Sequence, residues 1–219
     1  MQPFIRNHHY NFIARQTELL QQACRTVADL KVVDTVRSSS LAKIAEQFPE
    51  TTEPRKQLLE QLAYAKTAEE FQAYLRSLEL YRSEFGPVTE QQMKKLFPKA
   101  KKLKVPNLAL MDLRHVTYIG WNDIGAGKMF LVYNLNGQLV GIEGRFTPSY
   151  KKGYCFVCNK QSEVGLFSAI SKSRPAHASS DYYKAVGNYM CKDSVSCNRQ
   201  LTDVANLERF IQNVIQVEE

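Results

Sequence analysis

The sequence predicts an α+β protein: an N-terminal antiparallel helical bundle over residues 1–84, then an α/β domain over residues 85–219. Three observations predict it. No glycine precedes Gly86, and all ten glycines of the 219-residue chain lie from there onward. Charge divides at the same place: residues 1–84 carry 11 Lys and Arg against 11 Asp and Glu, while residues 85–219 carry 18 against 11, the whole net charge of +7. The apolar pattern also changes, from helical spacing to short strand-like runs. A joint change at Phe85-Gly86-Pro87 reads as a domain boundary.

In the first part, Tyr10, Ile13, Leu20, Cys24 and Val27 recur at helical spacing, as do Leu58, Leu62 and Ala65. Ser38-Ser39-Ser40 is expected to cap a second helix, closed by Pro49. Glu53-Pro54 opens a third, because a first helical turn has no use for the N–H that proline lacks. Thr67-Ala68-Glu69-Glu70 is a capping box, opening a helix to about Glu84. Three or four helices with short connections make a small bundle.

The second part opens with another capping box, Thr89-Glu90-Gln91-Gln92, and a short helix to Phe97. A lysine-dense link follows, six lysines between Lys94 and Lys104. Residues 116–119 and 129–133 are strand-like, and Asn136-Gly137 between FLVYNL and QLVGIEG is a hairpin signal. Residues 201–217 form an amphipathic helix with Leu207, Phe210, Ile211, Val214 and Ile215 on one side. Lone Trp121 is read as core. The chain is 44% hydrophobic and 23% charged, which excludes wholesale disorder and a collagen-like chain. It lacks the run of ~18 apolar residues a membrane span needs. MQPFIRNHHYNF lacks the apolar core of a signal peptide, so a cytoplasmic location is expected.

Five cysteines carry the chemistry. Cys24 stands alone and reads as a small buried apolar residue. The others are paired as Cys155-x2-Cys158 and Cys191-x5-Cys197. A Cys-x2-Cys turn aims both sulfurs at one ion, and tetrahedral zinc needs four such ligands. A hairpin knuckle, a β segment and a helix carrying the last two ligands make a treble clef. Ligands at the first turn of the terminal helix would gain from its free N–H groups. Four thiolates on Zn²⁺ leave a net charge of −2, which Lys160, Lys192 and Arg199 are expected to offset. Two disulfides, or a redox-active Cys-x2-Cys, are the competing readings of the same spacing.

A complete set of four cysteines leaves no open coordination position, which points to a structural ion. His8, His9, His115 and His177 have no motif around them, and the chain has no P-loop, GxGxxG, HExxH or GxSxG. An enzyme is not expected. The lysine run suits a solvated helix face, or an acidic protein or RNA. Tyr150, Tyr154, Phe156, Phe167, Tyr182, Tyr183, Tyr189 and Phe210 crowd the cysteine region, and any that stay exposed suit a protein interface or base stacking.

Further segments carry a resemblance: Ile119-Gly120-Trp121-Asn122, Lys152-Gly153-Tyr154-Cys155-Phe156-Val157-Cys158-Asn159-Lys160, Gly187-Asn188-Tyr189-Met190-Cys191-Lys192-Asp193-Ser194 and Cys197-Asn198-Arg199-Gln200-Leu201-Thr202-Asp203. On these the chain resembles the FusB/FusC-type elongation factor G-binding proteins of Gram-positive bacteria. The resemblance implies a helical bundle followed by an α/β domain with a four-cysteine treble-clef zinc finger. It implies binding to elongation factor G (EF-G) and help in releasing that factor from ribosomes on which fusidic acid has trapped it. Resistance would then arise by target protection, with no chemistry on the drug or on GTP. Cys155, Cys158, Cys191 and Cys197 fall on the family's zinc ligands. Tyr154, Tyr189 and Phe210 fall on aromatic positions implicated in partner contact. Where the family has a basic contact residue this chain has Val186, with Lys184 two residues earlier. Phe156 completes the candidate contact set. A monomer is expected. The competing reading is a zinc-dependent RNA- or ribosome-binding module without EF-G specificity.

Overall fold

The computed structural model describes residues 1–100, 102–172, 179 and 181–215. Lys101 of the lysine run, His177 and the last two residues of the expected terminal helix lie outside these. The chain divides into two compact units, Met1–Ser83 and Glu84–Glu219.

The first unit is helical: α1 (Asn7–Thr26), α2 (Leu30–Glu46), α3 (Glu53–Glu60), a short 3-10 turn (Gln61–Tyr64) and α4 (Ala68–Glu79). Its core gathers Ile5, Ile13, Leu20, Val33, Ile44, Leu58, Leu62, Phe71 and Leu78. Two expected ends move. Ser38–Ser40 lie inside α2, whose cap is Asp29, accepting from the Lys31 N–H at 2.9 Å. Three serines that cap well at an end are tolerated within a helix whose packing decides, and Ser40 is itself buried. The capping box at Thr67 and Glu70 forms as expected, but α4 stops at Glu79 instead of Glu84. The chain beyond it pairs with the N-terminal segment. Tyr81 C=O accepts from the N–H groups of Phe4 (2.9 Å) and Ile5 (3.0 Å), and Ser83 N–H donates to Ile5 C=O at 3.0 Å. The buried Arg82 guanidinium secures this pairing, donating to Asn7 Oδ1 (2.7 Å) and Glu79 Oε1 (3.0 Å) and lying over the Tyr10 ring.

The second unit begins with α5 (Glu90–Leu96), entered through the capping box of Thr89 and Gln92. Two single 3-10 turns lead to five strands: β1 (Tyr118–Asp123), β2 (Lys128–Leu135), β3 (Gln138–Tyr154), β4 (Gln161–Ile170) and β5 (Ala185–Cys191). They pair antiparallel in sequence order. The β2–β3 turn is Asn136-Gly137, with φ of 51° and 85°. Both residues need positive φ in such a turn, which is why Asn-Gly occupies it. β3 is irregular between Pro148 and Lys152, where its register on β4 shifts.

The helix expected over 201–217 is α7 (Ala205–Ile215), and a separate helix, α6 (Ser194–Gln200), precedes it. The break has a local cause. Asp203 Oδ1 accepts from the Ala205 N–H at 3.0 Å and so starts a new helix, while Leu201 is extended. α7 packs Leu207, Phe210, Ile211 and Val214 into the core that also holds the four cysteines. Trp121 joins a second cluster, stacked on Phe130 at 5.2 Å and edge-on to Phe97 at 5.8 Å.

α6 joins the two edges of the sheet. It follows β5 by two residues, yet its polar side chains bond to β1. Asn198 Oδ1 accepts from the N–H groups of Thr117 (2.7 Å) and Tyr118 (3.2 Å), while its Nδ2 donates to Tyr118 C=O at 2.9 Å. Ser194 Oγ donates to Gly120 C=O at 2.7 Å, and Asn122 Nδ2 donates to Lys192 C=O at 3.0 Å. Backbone groups that an edge strand would leave to solvent are thereby covered.

The helical unit should be acid-sensitive. Burial, reinforced by the neighbouring His9 charge, holds His8 down at about 3. Burial and Arg6 hold His9 at about 4. Both Nδ1 atoms are buried without a hydrogen-bond partner. The unfolded chain titrates these groups near 6.5, so below that pH it binds more protons than the folded one. Stability conferred by the neutral rings is complete above pH 6.5 and falls on acidification, by up to about 1.4 kcal/mol per pH unit for each. Helical circular dichroism should melt earlier at pH 5 than at pH 7, and His8→Gln with His9→Gln should flatten that difference. An unchanged pH profile in the double variant would count against this assignment.

Candidate metal centre

The four C-terminal cysteines come from three places. Cys155 and Cys158 sit in the turn after β3, Cys191 ends β5, and Cys197 lies in α6. The turn is a knuckle: Cys155 N–H donates to Lys160 C=O at 3.0 Å, and Asn159 N–H donates to Cys155 C=O at 2.9 Å. Asn159 takes a φ of 52°, which asparagine tolerates better than most side chains. Phe156 N–H donates to Tyr189 C=O at 2.8 Å and ties the knuckle to β5.

All four sulfurs lie within 4.8 Å of one another and all four residues are buried. Cys155 Sγ is 3.8 Å from Cys197 Sγ, and Cys158 Sγ is 3.7 Å from Cys191 Sγ. A zinc–sulfur bond of about 2.3 Å in a tetrahedron separates its ligands by about 3.8 Å, whereas a disulfide requires about 2 Å. None of the five cysteines is in a disulfide. The spacing and the four soft donors fit tetrahedral zinc and not paired disulfides. Crowding also divides the thiols. Hydrogen bonding to Cys158 pulls Cys155 far down, while hydrogen bonding to Cys155 pushes Cys197 far up. Four sulfurs this close cannot all be anionic without a cation between them.

Lys160, Lys192 and Arg199, expected to offset the charge of the site, are exposed, and Lys192 Nζ stands 3.9 Å from Glu163. The donor found at a sulfur is a neutral backbone amide: Cys191 N–H donates to Cys155 Sγ at 3.3 Å. The wholly buried Tyr118 belongs to the same core cluster as the four cysteines. The expected helix N-terminal contribution is narrower than foreseen. Cys191 precedes α6 in a strand, and Asp193 already accepts from the Val195 and Ser196 N–H groups at 3.1 and 2.9 Å.

The candidate contact residues separate by burial. Tyr154 and Tyr189 are 70% and 53% exposed, and Lys184 is exposed. Phe156 is half-buried, its ring 5.1 Å from that of Phe210. Phe210 is 2% exposed and also touches Phe167 at 5.6 Å. Its placement corrects the contact reading: the ring is part of the core. Tyr150 and Tyr183 are exposed, and Leu166 and Tyr189 are cross-strand partners on an exposed face. Sequence reasoning missed Tyr118, Ser194 and Asn198. Their roles depend on pairing across about eighty residues, although Gly120, Asn122 and Asn198 stood in the segments that carried the resemblance.

Residues 4–86 match the family model described as elongation factor G-binding protein, N-terminal. Residues 95–216 match that described as FBP C-terminal treble-clef zinc-finger. A solved structure titled as that of the fusidic acid resistance protein FusC is similar to the chain, with a TM-score of 0.79 and 29% identity. The match covers 96% of this chain and 97% of that one. No curated protein sequence matches the chain. The treble-clef family and the four gathered cysteines together assign a structural zinc ion to this site.

Cys158→Ser should lose zinc and unfold the core around it, because binding free energy in such a site is folding free energy. Metal content per chain and near-ultraviolet circular dichroism would check this. One zinc per chain and an intact spectrum in the variant would overturn the four-ligand assignment.

Proposed function

The chain belongs to the elongation factor G-binding protein family with a C-terminal treble-clef zinc finger, and from that premise we propose that it binds EF-G and promotes its release from ribosomes stalled by fusidic acid. The outcome would be resistance by protection of the target. The observation that carries this reading is the pair of family matches, reinforced by a likeness to a fusidic acid resistance protein along almost the whole of both chains.

The chemistry supports a binding protein and not an enzyme. A zinc ion held by Cys155, Cys158, Cys191 and Cys197 has no free position at which to polarise a substrate. The ion stiffens a surface. Tyr154, Tyr189 and Lys184 offer aromatic area and positive charge on a support that loses little entropy on association. Release further requires that this surface fit one conformation of EF-G better than the ribosome-bound one, since a ligand shifts an equilibrium only by its differential affinity. The site of action is the cytoplasm, and no helix among the described residues is long and apolar enough to cross a membrane.

A second reading has its own observation. Lys94, Lys95, Lys99, Lys102 and Lys104 are all exposed, as an RNA-binding face would require. Purified EF-G and naked ribosomal RNA distinguish the two. Binding confined to RNA, with a steep salt dependence, would replace the EF-G reading.

Under the EF-G reading, Tyr189→Ala should leave the melting temperature within a degree or two and weaken EF-G binding about tenfold or more. Phe210→Ala should instead destabilise the second unit by about 3–5 kcal/mol, as loss of a core ring does. Titration calorimetry and thermal melts on both variants check the pair. A release assay on fusidic acid-stalled ribosomes checks the mechanism: wild-type protein should accelerate EF-G dissociation, and an unaltered rate despite binding would defeat it.

A further inference from the structure

We propose that the turns after α5 form a second contact site, in which Lys95, Lys99, Lys102 and Lys104 engage the phosphodiester backbone of RNA in addition to the protein partner. Family membership supplies the choice of RNA, the polyanion that a partner of a translation factor meets. No assumption about EF-G release enters. Residues 91–111 hold six lysines and no Asp, Glu or Arg. The acids that bound the stretch are already engaged: Glu90 pairs with Lys94 at 2.6 Å, and Asp112 with Arg114 at 2.8 Å. Lys95, Lys99, Lys102 and Lys104 are all exposed. Positive charge with no negative charge interspersed sets up a field that draws in a polyanion.

The lysines stand on a built support. Three turns run head to tail: Phe97 N–H donates to Lys94 C=O at 3.1 Å, Ala100 N–H to Phe97 C=O at 3.0 Å, and Leu103 N–H to Ala100 C=O at 3.1 Å. In turns of this kind, side chains three residues apart line up. Phe97, Ala100 and Leu103 accordingly belong to the apolar cluster, where the Phe97 ring lies edge-on to Trp121 at 5.8 Å and to Phe130 at 5.1 Å. Lys99 and Lys102 are left in solvent. Gly141 lets the support sit close on β3, since a Cβ there would lie 2.7 Å from Leu96 Cβ and 2.8 Å from Phe97 Cζ. The turns bound a cavity of about 480 Å³, lined by Lys94, Phe97, Pro98, Ala100, Lys102 and Leu103. An unstacked base fits such a hollow, apolar at its floor and cationic at its rim. Protein interfaces are depleted in lysine and favour arginine and exposed aromatic rings. This stretch has neither, whereas a phosphate asks only for a point charge. The site is also separate from the candidate protein contacts. It packs on β1, β2 and β3, while Tyr189 lies on β5 at the far edge of the sheet.

The triple variant Lys99→Glu/Lys102→Glu/Lys104→Glu tests the site in the full zinc-loaded chain. The probe is a fluorescein-labelled single-stranded RNA of mixed sequence, read by anisotropy. Lys31→Glu/Lys43→Glu/Lys66→Glu makes the same change in net charge on exposed lysines of the helical unit. Wild-type affinity should fall steeply with salt. The first variant should keep its melting temperature, lose about tenfold or more in affinity and flatten the log–log salt slope by about 2. The second should lose far less. Two RNAs of unrelated sequence should bind alike, since phosphates carry no sequence information. Equal losses in the two variants would show attraction by net charge alone and overturn the site, as would a wild-type protein that binds no RNA at low salt. EF-G affinity on the same proteins separates the partners. It should be unchanged in the first variant, and its loss there with RNA binding intact would reassign these lysines to an acidic protein surface. The EF-G reading itself stands or falls on wild-type EF-G binding, whatever the RNA result.

Discussion

The second unit turns on the crowding of four sulfurs within 4.8 Å. That density of potential negative charge, buried in an apolar cluster, is unfavourable unless a divalent cation occupies the centre. With zinc present the same crowding becomes the fixed point of the fold. The knuckle after β3, the end of β5 and the start of α6 are each set by a ligand they contribute. α6 is then placed to bond to β1, and α7 follows to close the core. A small sheet with helices on few sides has limited apolar area to bury, and metal coordination supplies the rest.

Aromatic residues divide along the same line. Phe167 and Phe210 lie within the cluster that surrounds the sulfurs, and Phe156 leans on it. Tyr154 and Tyr189 come from strands adjoining the same ligands but face outward. Each exposed ring is separated from the metal by only a residue or two of backbone. Its position therefore inherits the rigidity of the site, which lowers the entropic cost of engaging a partner. Under the proposed function the zinc would serve recognition by holding this surface in place.

What could be read in the sequence was local. The capping boxes at Thr67 and Thr89, the Asn136-Gly137 turn and the paired cysteines each place their determinants within a few residues, and each appears in the structure. The misread features depended on distant partners. Ser38–Ser40 resemble a cap until Asp29 supplies one and the buried side of α2 carries the helix through them. The end of α4 is decided by Ile5, far away in sequence. The helix expected from Leu201 begins instead at Ala205, because hydrophobic spacing does not register the cap at Asp203. Phe210 looked equally suited to core or contact, and only packing against Phe156 and Phe167 separates the two. Tyr118 carried no motif of its own.

The clasp between Asn198 and Tyr118 joins positions 80 residues apart. During synthesis β1 leaves the ribosome long before α6 has been made, and the strand must wait with its outer edge unsatisfied. Closure comes late and all at once, since the same short stretch delivers Cys197, Asn198 and the start of α7's docking. Contacts of such long range form slowly. A growing chain short of this stretch has a sheet with two sticky margins, so the interval before Cys197 emerges is when chaperone protection and an adequate supply of zinc matter most.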